Sequence, residues 1–105
     1  MPKAPSLSFG AAAILHAVAS RSRFGFDIMQ ATGLTSGTVY PTLERLEASG
    51  LLKSKWEDAA EAHAAGRPAR RYFTLTAAGA TALRAALAKY RALRPLPGFA
   101  PEQAS

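Results

Sequence analysis

The 105-residue chain has no cysteine, one tryptophan, two histidines and only seven acidic residues. Without cysteine there can be no disulfide, no thiolate zinc site and no cysteine nucleophile. His16 lies in an Ala-rich apolar stretch and reads as packing at a boundary or interface. His63 has only Asp58 and Glu61 near it, so the two histidines make no zinc-ligand pattern. There is no Gly-rich phosphate loop, no His-Glu-x-x-His and no workable Ser/His/Asp set, so neither enzyme activity nor a cofactor is expected. No apolar run approaches the roughly 20 residues of a membrane span. The opening Met1-Pro2-Lys3-Ala4-Pro5 carries one charge, and no clear cleavage site follows it, which argues against a signal peptide. A cytoplasmic protein without membrane contact is expected. Large apolar side chains are also few. Hydrophobic residues make up 49% of the chain, but 24 of them are alanine, leaving a thin core that a second copy would help to stabilise. Basic residues are in surplus: 13 Lys and Arg give a net charge of +6, which suits a polyanionic partner.

Local patterning predicts one small, mainly α domain with a β-hairpin, in the order α-α-α-β-β-α. Residues 1–7 hold two prolines and read as a flexible arm. Ser8 is a natural N-cap for a helix to about Ala19, with Ile14, Leu15 and Val18 on one stripe. A short helix from Phe24 to Thr32 places Phe24, Ile28 and Ala31 on one side, and Gly33 ends it. Thr35 or Ser36 can cap a third helix, with Val39, Leu43 and Leu46 inward, Pro41 near its start and Gly50 at its end. Residues 51–57 alternate: Leu52 and Trp56 face one way, Lys53, Lys55 and Glu57 the other. Residues 58–70 show no buried period and read as a loop. Residues 71–75 form the return strand, with Arg71, Phe73 and Leu75 on one face. Trp56 reads as packing beneath the hairpin. Thr76 caps a last helix over residues 77–94, and the proline-bearing segment 95–105 is expected to be disordered. Two short helices joined through Gly33-Leu34-Thr35 and followed by a hairpin make a winged helix-turn-helix over residues 8–76.

Three separated blocks carry a more specific signal. They are Gly25-Phe26-Asp27-Ile28, the stretch from Ser36-Gly37-Thr38-Val39-Tyr40-Pro41-Thr42 through Leu43-Glu44-Arg45-Leu46-Glu47 to Gly50-Leu51-Leu52, and Gly66-Arg67-Pro68-Ala69-Arg70-Arg71-Tyr72-Phe73-Thr74-Leu75-Thr76. In this order they resemble PadR-type transcriptional regulators over about residues 7–87. The resemblance implies a repressor that binds duplex DNA. It is to the short subfamily, in which the last helix mediates dimerisation, often with help from the first; here that first helix carries Leu15 and Val18. Some short members hold flat aromatic drugs at the dimer interface with a Trp on the last helix. This last helix has Tyr90 as its sole aromatic residue, so that property is not carried over.

The residues suit the implied role. A helix entering the major groove needs short polar side chains at its leading end. Thr35, Ser36, Thr38 and Thr42 can meet phosphates or base edges, although capping alone would also explain such a cluster. Gly37 permits close backbone approach, and Tyr40 lies at the edge of the apolar face with its hydroxyl within reach of DNA. Arg45 can reach a phosphate or a guanine, or stand as a solvated cation. Glu44 and Glu47 would face solvent or the protein. In the wing, Arg67, Arg70 and Arg71 can reach a minor groove or its phosphates, with Arg67 at the loop tip the best placed. Lys53 and Lys55 can add phosphate contacts or form a solvated face. Leu83, Leu87, Tyr90 and Leu93 line one side of the last helix, a face too long for so small a domain to cover. It predicts a two-fold homodimer and a palindromic site. Hydrophobic space at that interface is the expected seat of any small effector. The rival reading, a winged helix that binds proteins rather than DNA, would need an apolar outer face on the third helix, and Thr38 and Thr42 argue against it.

Overall fold

The computed structural model describes residues 7–91. Of the expected arm 1–7 only Leu7 is described, and it packs half-buried against the core rather than standing free; residues 1–6, the expected disordered segment 95–105 and Leu93 lie outside the described residues. The elements are α1 (Phe9–Ala19), α2 (Gly25–Thr32), α3 (Ser36–Ala48), β1 (Leu52–Trp56), α4 (Ala59–Ala64), β2 (Arg71–Leu75) and α5 (Ala77–Arg91). The mainly helical winged-helix architecture is as the sequence predicts, with one correction: the expected loop 58–70 contains a helical turn. Asp58 caps it by accepting the Glu61 N–H at 3.0 Å, and Ala62 is buried. Six residues carry too little periodicity to stand out in a sequence, and one capping acid with a single inward alanine is enough to close them.

α1 is the centre of the domain. Ser8 caps it through the Ala11 N–H at 3.1 Å. Its alanines let neighbouring helices approach closely, and Ala11, Ala12, Ile14, Leu15, Ala17 and Val18 are all buried. α2, α3, β2 and α5 pack around it. Ile28, Val39, Leu43, Leu52, Phe73 and Leu83 complete the core. Leu15 is fully enclosed and Val18 nearly so, which corrects their assignment to a dimer interface. The stripe that carries Leu15 and Val18 is spent on the domain's own core, while Phe9 of the same helix stays exposed. Ala31 is exposed, and the half-buried Met29 packs against the core in its place.

Gly33 turns the chain between α2 and α3 with φ of 75°, a conformation glycine adopts without Cβ strain. β1 and β2 pair antiparallel, Leu52 opposite Leu75 and Trp56 opposite Arg71. The Phe73 N–H donates to the Arg23 carbonyl at 2.7 Å, tying the hairpin to the segment before α2. α5 starts in contact with the α3–β1 turn. The Thr76 hydroxyl donates to the Gly50 carbonyl at 2.6 Å and accepts the Gly79 N–H at 3.0 Å. A Cβ on Gly79 would fall 1.9 Å from the Leu51 carbonyl oxygen, so only glycine permits this approach.

Candidate nucleic-acid interface

The leading end of α3 projects from the domain. Thr35, Ser36, Gly37 and Thr38 are all exposed, and the Thr35 side chain makes no capping bond. The hydroxyls therefore face water, available to an acceptor or an anion, while the Thr38 N–H already donates to the Thr35 carbonyl at 3.0 Å. Arg45 is exposed as well. Thr42 is not: it is 5% exposed, and its hydroxyl accepts from Arg45 Nη2 at 3.3 Å. The α3 stripe of Val39, Leu43 and Leu46 is wide enough to draw Thr42 inside, so the expected row of hydroxyls stops at Thr38. Tyr40, 49% exposed, lies across Gly25, where a Cβ would stand 2.2 Å from the Tyr40 hydroxyl oxygen.

The wing is held by carboxylates. Arg71 reaches over α3 to pair with Glu44 at 3.1 Å and with Glu47, and its Nε donates to Ser54 Oγ at 3.0 Å. Ser54 in turn donates to Glu47 at 2.7 Å. This network fixes the hairpin relative to α3. Glu47 is half-buried against the hairpin, and Glu44 is exposed while pairing with Arg71. Arg67 forks onto Glu57, with Nη2–Oε2 at 2.7 Å, and the Arg70 N–H also donates to Glu57 at 3.2 Å. The Arg67 guanidinium is the main reason the Glu57 carboxyl is pulled from 4.5 down to about 2; partial burial opposes it and the Arg70 N–H assists. The same pairing raises Arg67 above its usual value. Arg67 is therefore not the free loop-tip cation that spacing suggests, because an acid ten residues earlier folds back onto it.

Arg70 differs. Its guanidinium lies 4.2 Å from the centre of the Phe24 ring, with no carboxylate in hydrogen-bonding contact among the described residues, although its charge helps to lower the Glu57 carboxyl. Lys53 and Lys55 are exposed on the outer face of the hairpin. Trp56 is 63% exposed, which corrects the expectation that it packs beneath the wing. It shares the inward parity of Leu52, but the hairpin overhangs the domain: along that face Leu52 is buried, Ser54 half-buried and Trp56 open to water. Trp56, Tyr40 and Phe26 border one groove between the wing, α2 and α3. Sequence reasoning missed Phe26, and the Phe24-Gly25-Phe26 repeat around a glycine was the available signal.

At the other side of the domain, Leu87 and Tyr90 are half-buried and Leu83 is buried in its own core. Tyr90 donates to the Leu7 carbonyl at 2.8 Å and meets Phe9 edge-on at 5.2 Å. Phe9, Ala13, His16, Leu87 and Tyr90 border a second groove between α1 and α5.

The model of the transcriptional regulator PadR-like family matches residues 14–85. The chain belongs to that family. Among solved structures, a PadR family regulator from hypervirulent Clostridium difficile R20291 is 22% identical, with a TM-score of 0.71 over 83% of this chain and 92% of that one. A PadR family regulator from Eggerthella lenta is 26% identical, with a TM-score of 0.61 over 80% and 75%. BpsR of Bordetella bronchiseptica, whose DNA binding is regulated by 6-hydroxynicotinic acid, is 21% identical, with a TM-score of 0.69 over 99% and 75%. No curated protein matches the sequence. Among the described residues, no helix of this PadR-like protein is long and apolar enough to cross a membrane.

Proposed function

We propose that this PadR-like protein is a cytoplasmic, non-enzymatic repressor that binds a palindromic operator in duplex DNA as a homodimer and is released by a small molecule. The observation that carries the reading is the open, uncapped leading turn of α3, Thr35 to Thr38, beside a hairpin locked at a set offset by Arg71, Glu44, Glu47 and Ser54. In this reading Thr35, Ser36, Gly37 and Thr38 meet base edges, with Arg45 and Tyr40 at the margins. Lys53, Lys55 and Arg70 serve the phosphates. The second copy covers the α1–α5 groove through Leu87 and Tyr90, joined by Phe9 and His16 in place of the enclosed Leu15, Val18 and Leu83. BpsR, a neighbour by fold, has its DNA binding regulated by an aromatic acid, which supports a small-molecule effector here.

A salt-titrated competition assay tests the proposal, using the upstream region of the protein's own gene against random duplex. A preference of about 10³ or more at moderate salt is expected. Equal and steeply salt-dependent binding to both would leave only the attraction of a +6 protein for a polyanion and would overturn it.

A further inference from the structure

Two acids stand on the side of α3 that meets the hairpin, in a protein whose proposed partner is a polyanion. Glu44 and Glu47 are neighbours one helical turn apart, and Arg71 of β2 reaches both. All three nitrogens of its guanidinium are committed. Nη1 meets Glu44 at 3.1 Å, Nη2 donates to Glu47, and Nε donates to Ser54 Oγ of β1 at 3.0 Å. Ser54 closes the ring by donating to Glu47 at 2.7 Å. Glu47 thus accepts from both strands of the hairpin at once. Among the described residues, this ring supplies every side-chain hydrogen bond and ion pair between α3 and the hairpin. The Glu57–Arg67 pair lies within the wing itself. The Arg71 and Glu47 side chains are 28% and 31% exposed, so salt screens them less than a free surface pair.

We infer that Glu47, acting through Arg71 and Ser54, is a positioning residue for operator preference: without touching DNA, it sets where Lys53 and Lys55 of the wing stand relative to Thr35–Thr38 of α3. This role rests on the DNA-binding reading above. The reason is leverage. The ring grips α3 in its C-terminal half, and Glu47 follows Thr38 by nine residues, about 14 Å of helix rise. A small rotation of the hairpin about that grip moves both lysines off the phosphates that fix the register of α3 in the groove. Arginine suits position 71 because its planar fork meets three acceptors in set directions, which an ammonium on a flexible stem does not. Charge alone predicts the opposite effect for Glu47. Removing an acid from a DNA-binding protein strengthens its attraction for phosphates. Removing a positioning contact weakens binding to the operator.

The test is salt-titrated binding of the full chain to the upstream fragment of its own gene and to random duplex. Glu47→Gln is expected to cut the preference for the upstream fragment about tenfold, while binding to random duplex holds or tightens. Arg71→Lys keeps the charge and should cut the preference by a similar factor. Glu61→Gln removes an exposed acid of α4, outside the ring, and should leave the preference unchanged. In the wild-type background Lys53→Ala flattens the salt dependence by about one unit of slope; in the Glu47→Gln background it should remove less than half of that. A variant that merely folds less well loses both affinities in equal proportion, so the ratio isolates positioning, and thermal unfolding of each variant confirms that it folds. An unchanged or raised preference in Glu47→Gln overturns the role. So does an equal loss in Glu61→Gln, or a full unit of slope lost on adding Lys53→Ala to Glu47→Gln. A wild type without preference overturns the DNA-binding reading itself, and the role falls with it.

Discussion

Two threonines four positions apart on α3 have opposite environments. Thr38 stands in water at the leading turn, and Thr42 is enclosed with its hydroxyl on Arg45. Thr38→Ala is expected to reduce the preference for operator over random DNA by about tenfold, as loss of one base contact worth about 1–3 kcal/mol would. Thr42→Ala should lower the unfolding midpoint and leave that preference unchanged. Competition binding and thermal unfolding on both variants check the pair. The cations divide in the same way. Lys53→Ala and Lys55→Ala should each flatten the salt dependence of DNA binding by about one unit of slope. Arg67→Ala should barely change it, because Glu57 already balances that charge. A full unit lost on Arg67→Ala would mean that the ion pair opens on DNA.

The wing and α5 are each held at the level of elements by a few specific contacts. Glu57 has its folded pKa depressed to about 2 from 4.5, so its contribution to stability is fully present above the higher value. It is lost as pH falls through the window between them. Glu57→Gln should therefore remove part of the acid sensitivity between about pH 5 and pH 2, seen as a shallower fall in unfolding midpoint than wild type. Identical acid profiles would mean that the Glu57–Arg67 pair does not hold the wing. For α5 the decisive contact is Gly79 against the Leu51 carbonyl. Gly79→Ala raises helix propensity, but its methyl meets backbone that cannot yield. Overpacking of this kind costs about 1–3 kcal/mol, so a lower denaturant midpoint is expected.

For the whole molecule, the thin core and the partly uncovered α1–α5 groove lead to one expectation: a dimer at micromolar concentration in sedimentation equilibrium. Leu87→Asp should shift it towards monomer by placing a charge on that face. A wild-type monomer would remove the geometric basis for a palindromic operator. Most of the architecture was legible in the sequence, because its signals are local. Ser8, Gly33 and Thr76 mark helix ends, the 3.6-residue stripes mark faces, and alternation marks β1 and β2. The candidate site was legible only in part. Its leading hydroxyls follow from helix start signals. The fates of Thr42, Trp56, Arg67 and Arg71 depend on what lies opposite them.

Periodicity, capping residues and charge balance by themselves determined the elements, their order and the basic character of the protein, because each acts within a few residues or sums over the whole chain. Tertiary structure alone decided that Leu15 and Val18 of α1 are enclosed, that Glu57, Glu44 and Glu47 take up Arg67 and Arg71 of the wing, and that Phe26, Tyr40 and Trp56 remain exposed around one groove. Burial and ion pairing depend on the three-dimensional distance between residues far apart in the chain. Linear spacing constrains that distance only weakly, and the packed fold sets it.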